Sequence, residues 1–223
     1  MHLFKKVLLA LSLCGAAAAA LASPQDPKNG VEYKTLPTAQ PTASGKKIEV
    51  TEFFAYYCPH CYAFEAELSA WVKKQGDTIV FKRVHVERDA SVAPQQRLFF
   101  TLEALGLTEQ YHLKVFQAMH VQHNRLASDA AVLEFAEKQG IDAKKFSETY
   151  SSLGIDGRIR HANAMMAAYK VDSWPMLAVD GRFITSPAMA DEAVKAAKTE
   201  AQLHSQALAV MDFLVAKAKA EKK

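Results

Sequence analysis

Cys58-Pro59-His60-Cys61 places the only two cysteines outside the N-terminal leader two residues apart. The chemistry such a pair offers is thiol–disulfide exchange, because a thiol at a strand-to-helix junction is acidified and its disulfide is easily opened. Pro59 suits the first turn of a helix, where no backbone N–H is needed, so Cys58 should stand at the helix N-terminus. There the unpaired N–H groups and the positive end of the dipole favour a thiolate over a thiol. A protonated or donating His60 adds to the effect, and each unit taken off the Cys58 pKa stabilises the thiolate by about 1.4 kcal/mol. Only the reduced form gains, since a disulfide carries no charge, so an acidic Cys58 makes the disulfide a better oxidant. Cys61, one turn further in, should be buried and act as the resolving thiol. As a structural staple the pair would do little, because so short a loop cross-links almost nothing that the helix does not already hold.

The elements around this tetrapeptide are those that could position it. Lys47 to Tyr57 has high β-propensity and is apolar on both faces near its end, which predicts a central strand. Tyr62 to Lys74 reads as an amphipathic helix: Phe64, Leu68, Trp71 and Val72 recur at i, i+4, i+7 and i+8, and Gly76 supplies the stop. Thr78 to Val86 is a second strand, with Ile79, Phe81, Val84 and Val86 favouring β over helix. Helical patterns then recur at Pro94 to Leu105, Glu109 to His120, Asp129 to Gln139, Asp142 to Ser151 and Gly157 to Tyr169, separated by Gly, Asn or Ser. Strand signals return at Met176 to Val179 and Arg182 to Thr185, joined by the hairpin turn Asp180-Gly181. Pro187 and the Ala/Lys-rich remainder read as helical, with Leu203, Val210, Met211 and Leu214 on the buried face. The order implies an α/β fold with a mixed central sheet, formed by residues 47–90 and 171–223 and interrupted by a helical domain at 91–170. Residues 23–46 read as an extended lead-in.

Residues 1–22 have the pattern of a secretory signal peptide: basic Lys5 and Lys6, an apolar run from Val7 to Ala20, and an Ala20-Leu21-Ala22 cleavage site before Ser23. Cys14 would leave with it, and Leu13 occupies the position where lipidation needs a small residue. No other apolar run approaches the length needed to span a bilayer. Removing Lys5 and Lys6 from the 27 basic residues leaves them nearly balanced with the 24 acidic ones. That balance gives no reason to expect nucleic acid or an anionic membrane as partner.

The segment from Glu52 to Glu65, Glu-Phe-Phe-Ala-Tyr-Tyr-Cys-Pro-His-Cys-Tyr-Ala-Phe-Glu, resembles the active-site region of the DsbA-like family of periplasmic thiol:disulfide oxidoreductases, within the thioredoxin-fold superfamily. The likeness runs from about Lys47 to the C-terminus, and it implies a thioredoxin fold with a helical insert and a strongly oxidising couple. It also implies that Pro175 is the cis-proline facing the cysteines, with Trp174 and Met176 beside it lining the substrate site. Relatives place Val or Thr before that proline, so Trp174 is a departure that bears on substrate range. Glu52 matches a buried acid beneath the disulfide, and on an apolar strand it would have a raised pKa and could shuttle the Cys61 proton. The competing reading of Glu52 is an edge-exposed strand charge. Glu65 and Arg83 fall where the family also has charges, and solvated charges are the competing reading for both.

A metal site is disfavoured, because Cys58, His60 and Cys61 are too close together for a closed one and the other histidines complete no motif. His120 and His123 read as exposed imidazoles at a helix end, and Tyr62 stands where a c-type haem would need histidine. A disulfide isomerase of the same fold would carry an N-terminal dimerisation domain, for which residues 23–46 are too short. A chaperone-like binding module with an incidental disulfide would use an apolar surface around Phe183, Met176 and Trp174. The expectation is therefore a monomeric periplasmic dithiol oxidase that donates its Cys58–Cys61 disulfide to unfolded, newly exported cysteine-containing proteins. By resemblance, it would be reoxidised by a DsbB-like quinone-linked membrane protein, and no bound cofactor is implied.

Overall fold

Ile48–Phe54 (β2) is buried along its whole length, as expected of a strand of β-branched and aromatic residues covered on both faces. It pairs in parallel with Ile79–His85 (β3) and antiparallel with Met176–Val179 (β4). Phe183–Thr185 (β5) continues from β4, and Lys34–Thr35 (β1) closes the far edge, giving the mixed order β1-β5-β4-β2-β3. The computed structural model describes residues 26–192 and 195–222, so the leader read over 1–22 lies outside the described residues.

The lead-in is more than an extended approach. It supplies β1 to the sheet, and the Gln40 N–H donates to the Gly181 carbonyl at 2.8 Å. Two residues are too short a run for any period to mark as a strand. The β4–β5 turn is the Asp180-Gly181 hairpin, with φ of 52° and 66°. A Cβ on Gly181 would come within 2.1 Å of the Gln40 oxygen, so glycine is required both for the turn and for the close approach of the lead-in.

Pro59–Gln75 (α1) starts at the proline, three residues before the Tyr62 start of the amphipathic pattern, because Cys58 caps it. Gly76 ends it with φ 52°, its N–H returning to the Val72 carbonyl. Phe64, Leu68 and Trp71 join Ile48, Val50, Val210 and Leu214 in a core between the sheet and Glu200–Glu221 (α8). Each such side chain contributes roughly 1.5–3 kcal/mol by leaving water. The Trp71 indole N–H donates to Asp212 at 2.8 Å, tying α1 to α8.

On the other side of the sheet lie Ala93–Ala104 (α2), Thr108–His120 (α3), Asp129–Lys138 (α4), Ala143–Tyr150 (α5) and Leu153–Ala168 (α6), inserted between β3 and β4. Phe53, Phe54, Tyr56, Leu98, Phe99 and Phe116 form the core there, and both cysteines belong to it. α6 begins four residues before the Gly157 start read from sequence, because packing of Ile155 outweighs the helix-breaking tendency of Gly154 and Gly157.

The C-terminal region is not one continuous helical stretch. Pro187–Ala190 (α7) stops where the Asp191 carboxylate accepts the N–H groups of Ala196 and Ala197, each at 3.0 Å, and α8 restarts behind the Thr199 cap. Alanine content hid that break, since an aspartate that competes for backbone donors carries no periodic signal. Among the described residues no helix is long and apolar enough to cross a membrane.

Candidate active site

Cys58 stands at the N-cap of α1 with extended backbone (φ −86°, ψ 116°), and its sulfur accepts the Cys61 N–H at 3.3 Å. Both cysteines are free thiols; Cys58 is 5% exposed and Cys61 fully buried. The Cys61 thiol, the N–H groups of Cys61 and His60 and the His60 charge together overcome burial and bring the Cys58 pKa down to about 7. Burial, together with the hydrogen bond to Cys58 and its charge, pushes Cys61 the other way, well above the usual thiol value. Two adjacent thiols are thus separated into an acidic one at the helix cap and a more deeply buried one that holds its proton.

His60 is exposed on the first turn, and its Nδ1 meets the carboxylate of Glu200, the first residue of α8. That hydrogen bond raises the His60 pKa against its partial burial and so favours the charged imidazolium beside Cys58.

The Trp174–Pro175 peptide bond is cis, and the Cys58 thiol donates to the Trp174 carbonyl at 3.6 Å. The Trp174 ring meets Tyr57 edge-on, centroids 6.0 Å apart. A groove of about 190 Å³ opens there, lined by His60, Trp174, Pro175, Pro187, Leu203 and His204. Met176 and Phe183 do not contribute side chains to any such surface. They are 2% and 3% exposed, because β4 and β5 are inner strands covered on both faces. The expected apolar patch of Phe183, Met176 and Trp174 therefore reduces to Trp174, and Met176 can meet a substrate only through its backbone.

Beneath the cysteines the β2–β3 register sets Glu52 directly opposite Arg83. Arg83 Nε donates to Glu52 at 3.0 Å, and its Nη2 reaches both oxygens of Glu65 at 2.9 and 3.1 Å. Glu65 also accepts from Ser69 Oγ at 2.6 Å and pairs with His112 Nε2 at 3.2 Å. Glu52 is 1% exposed, which disposes of the edge-exposed reading, and Glu65 and Arg83 are not solvated charges either. Burial pushes the Glu52 pKa up to about 7, Arg83 opposing, with Glu65 and Cys58 adding to the rise. Burial acts on Glu65 too, but the His112 hydrogen bond and the Arg83 charge hold its pKa below the usual carboxylate value.

The DSBA-like thioredoxin domain family matches residues 49–203, spanning the cysteine pair, the cis-proline and the helices between them. The chain belongs to this family. It is 39% identical to the thiol:disulfide interchange protein DsbA of Burkholderia cepacia over 214 residues, covering 95% of this chain and 96% of the relative. The DsbA of Bordetella pertussis is 36% identical over 188 residues, covering 84% and 88%. The crystal structure of Pseudomonas aeruginosa DsbA superposes with a TM-score of 0.80 at 31% identity, over 89% of this chain and 97% of that one.

Within this DSBA-like frame, sequence reasoning passed over several polar residues of the site. His112 is buried and its Nδ1 meets the Tyr56 hydroxyl at 3.0 Å, while the Tyr56 N–H donates to His85 Nε2 at the same distance. His120 is not a free imidazole: its Nε2 bonds the Tyr56 carbonyl at 2.8 Å and its ring stacks on Tyr62, whereas His123 is exposed. A signal was available in helical spacing, since His112, Val115 and Phe116 share a stripe on α3, as Cys61, Glu65 and Leu68 do on α1. Among the described residues no cluster of three or more His, Cys, Asp or Glu is placed to hold a metal ion.

Proposed function

We propose that the chain is a thiol:disulfide oxidoreductase that donates its Cys58–Cys61 disulfide to newly exported proteins. The observation that carries this is the separation of the two thiols, Cys58 acidic at the helix N-terminus and Cys61 buried with its pKa raised. A substrate thiolate attacks the Cys58 sulfur, forming the mixed disulfide as the Cys58–Cys61 bond breaks and Cys61 departs with the electron pair. Cys61 then takes up a proton, for which the neighbouring Glu52 carboxyl is the donor. A second substrate thiolate attacks the substrate sulfur of the mixed disulfide. Cys58 leaves as the stabilised thiolate, and two electrons have passed from substrate to enzyme.

Trp174 and Pro175 hold the substrate backbone extended alongside Cys58, with Met176 contributing through its main chain. Pro59 sets the helix start and His60 favours the thiolate product. In this reading the chain acts as a monomer. The leader pattern of residues 1–22 supports a periplasmic site of action, and in this reading reoxidation falls to a DsbB-like quinone-linked membrane protein that accepts the two electrons. The names of the curated relatives support the exchange chemistry.

The test is a pH titration of Cys58 by thiolate absorbance together with refolding of a reduced, cysteine-containing substrate. A midpoint near 7 and refolding activity abolished in Cys58→Ser are expected. A midpoint at the ordinary thiol value would sink the oxidase reading, and activity surviving Cys58→Ser would identify a binding module instead.

A further inference from the structure

Tyr56 and His112 take no part in the exchange steps, yet they are joined to Glu65, which shares Arg83 with Glu52, the acid beneath Cys61. Burial lowers the His112 pKa despite the Glu65 contact and so favours the neutral imidazole. An ionised carboxylate only accepts hydrogen bonds, so His112 must carry its proton on Nε2, facing Glu65 at 3.2 Å. Nδ1 is then an acceptor, and the Tyr56 hydroxyl 3.0 Å away is the donor that selects this tautomer. Tyr56 is itself fixed at both backbone ends, by His85 and by His120.

The two buried carboxylates are served unequally. Glu65 receives donors from Ser69, His112 and Arg83, whereas among the described residues Glu52 receives Arg83 alone. One guanidinium cannot compensate two buried anions, so near neutrality one carboxyl retains a proton. Facing Glu52 are Arg83 from β3, Glu65 from α1 and the two cysteine sulfurs; facing His112 are Glu65, Arg83, Tyr56, His85 and, on its own helix, Glu109. The unequal donor count decides which carboxyl is neutral.

We propose that His112, locked in one tautomer by Tyr56, is a positioning residue that pins the negative charge of the buried pair on Glu65 and so leaves Glu52 as the carboxyl with an exchangeable proton for Cys61. This rests on the reading that Glu52 gives its proton to the departing Cys61 thiolate, becoming a carboxylate as Cys61 becomes a thiol.

Carboxyl carbons of the dithiol protein, labelled at glutamate and assigned with Glu52→Gln and Glu65→Gln, can be titrated by NMR. In the wild type Glu52 titrates near neutrality while Glu65 stays ionised far below it. In His112→Phe the proton affinity of Glu65 should rise at least tenfold and the protonated fraction of Glu52 at neutral pH should fall. His112→Gln, whose amide can donate to Glu65 and accept from Tyr56, should keep the wild-type pattern. Tyr56→Phe, which loses only a hydroxyl, should move both midpoints the same way by a few-fold, and it decides the matter if His112→Phe does not fold. Midpoints indifferent to these substitutions overturn the proposal. The underlying reading fails separately: it is lost if Glu52→Gln leaves the pH profile of Cys61-dependent exchange unchanged, whatever the NMR midpoints do.

Discussion

The Cys58 sulfur lies 3.6 Å from the carbonyl oxygen of Trp174, on the N-terminal side of the cis-proline. A thiol can donate to that oxygen and a thiolate cannot, so ionisation of Cys58 frees the carbonyl to accept an N–H from an extended peptide beside it. In the proposed scheme the charge on one sulfur is coupled to the recognition of substrate backbone, and several consequences can be measured.

The first concerns stability against pH. In the dithiol form the folded Cys58 pKa is about 7 against an ordinary 9.0. A depressed pKa contributes stability that is complete above the unfolded value and is lost as pH falls through the folded one. The disulfide form has no such contribution. The stability of the dithiol form relative to the disulfide form should therefore grow by about 1–2 kcal/mol between roughly pH 6 and 8.5, a value reduced by partial solvent screening. The raised Cys61 pKa works against this only as unfolded thiols ionise, near and above the top of that window. Guanidinium denaturation of both redox forms measures the difference, and the pH-dependent gain should vanish in Cys58→Ser.

His60 and its partner Glu200 should tune the couple. His60→Ala removes an imidazolium beside Cys58, so the Cys58 pKa should rise and the couple become less oxidising by on the order of 10–30 mV. Glu200→Gln lowers the His60 pKa and should move the potential the same way by less, as befits an exposed pair. Equilibration with glutathione reads both, and an unchanged potential in His60→Ala would count against any electrostatic role for it.

Trp174 narrows the groove beside the cis-proline, resting edge-on against Tyr57. Trp174→Val should open it at a cost of about 1 kcal/mol in stability, since the ring is only partly buried. kcat/KM on a reduced protein should rise several-fold relative to a small dithiol peptide, with the Cys58 titration unmoved. Parallel changes on both substrates would show that the ring does not set substrate range.

Arg83 is the only cation contacting both buried carboxylates among the described residues. Arg83→Met leaves Glu52 and Glu65 uncompensated and should cost about 3–5 kcal/mol at neutral pH. Without Arg83 the carboxylate pKa values rise, so this loss deepens as pH increases through them and is relieved on acidification, when both can be neutral. Urea unfolding at pH 5 and at pH 7.5 tests the sign: a penalty independent of pH would mean that Arg83 contributes packing and not charge.

Much of the site was legible without coordinates because its defining features are local. Cys58, Pro59 and Cys61 lie within one helical turn, and the alternation of apolar and β-branched residues marks β2 and β3 whatever they pack against. The two-residue β1 and the split between α7 and α8 were not legible, since one depends on a distant partner strand and the other on a single aspartate. The buried network stayed hidden for a related reason. A charged residue inside an apolar pattern is scored as a surface position unless its partner is known, and the partners of Glu52, Glu65 and His112 come from three other elements.

By itself, then, the sequence determined that this chain carries an exchangeable cysteine pair at a strand-to-helix junction, because helix start, cap and thiol spacing are encoded within a dozen residues. Tertiary structure alone decided what surrounds that pair. Register places Arg83 beside Glu52, the helical insert delivers His112 to Glu65, and the return of the chain at β4 sets the Trp174 carbonyl against Cys58. Those contacts join residues 31 to 116 positions apart. Their energetics depend on the low dielectric that only a closed core provides, where one hydrogen bond more or less decides which group holds a proton.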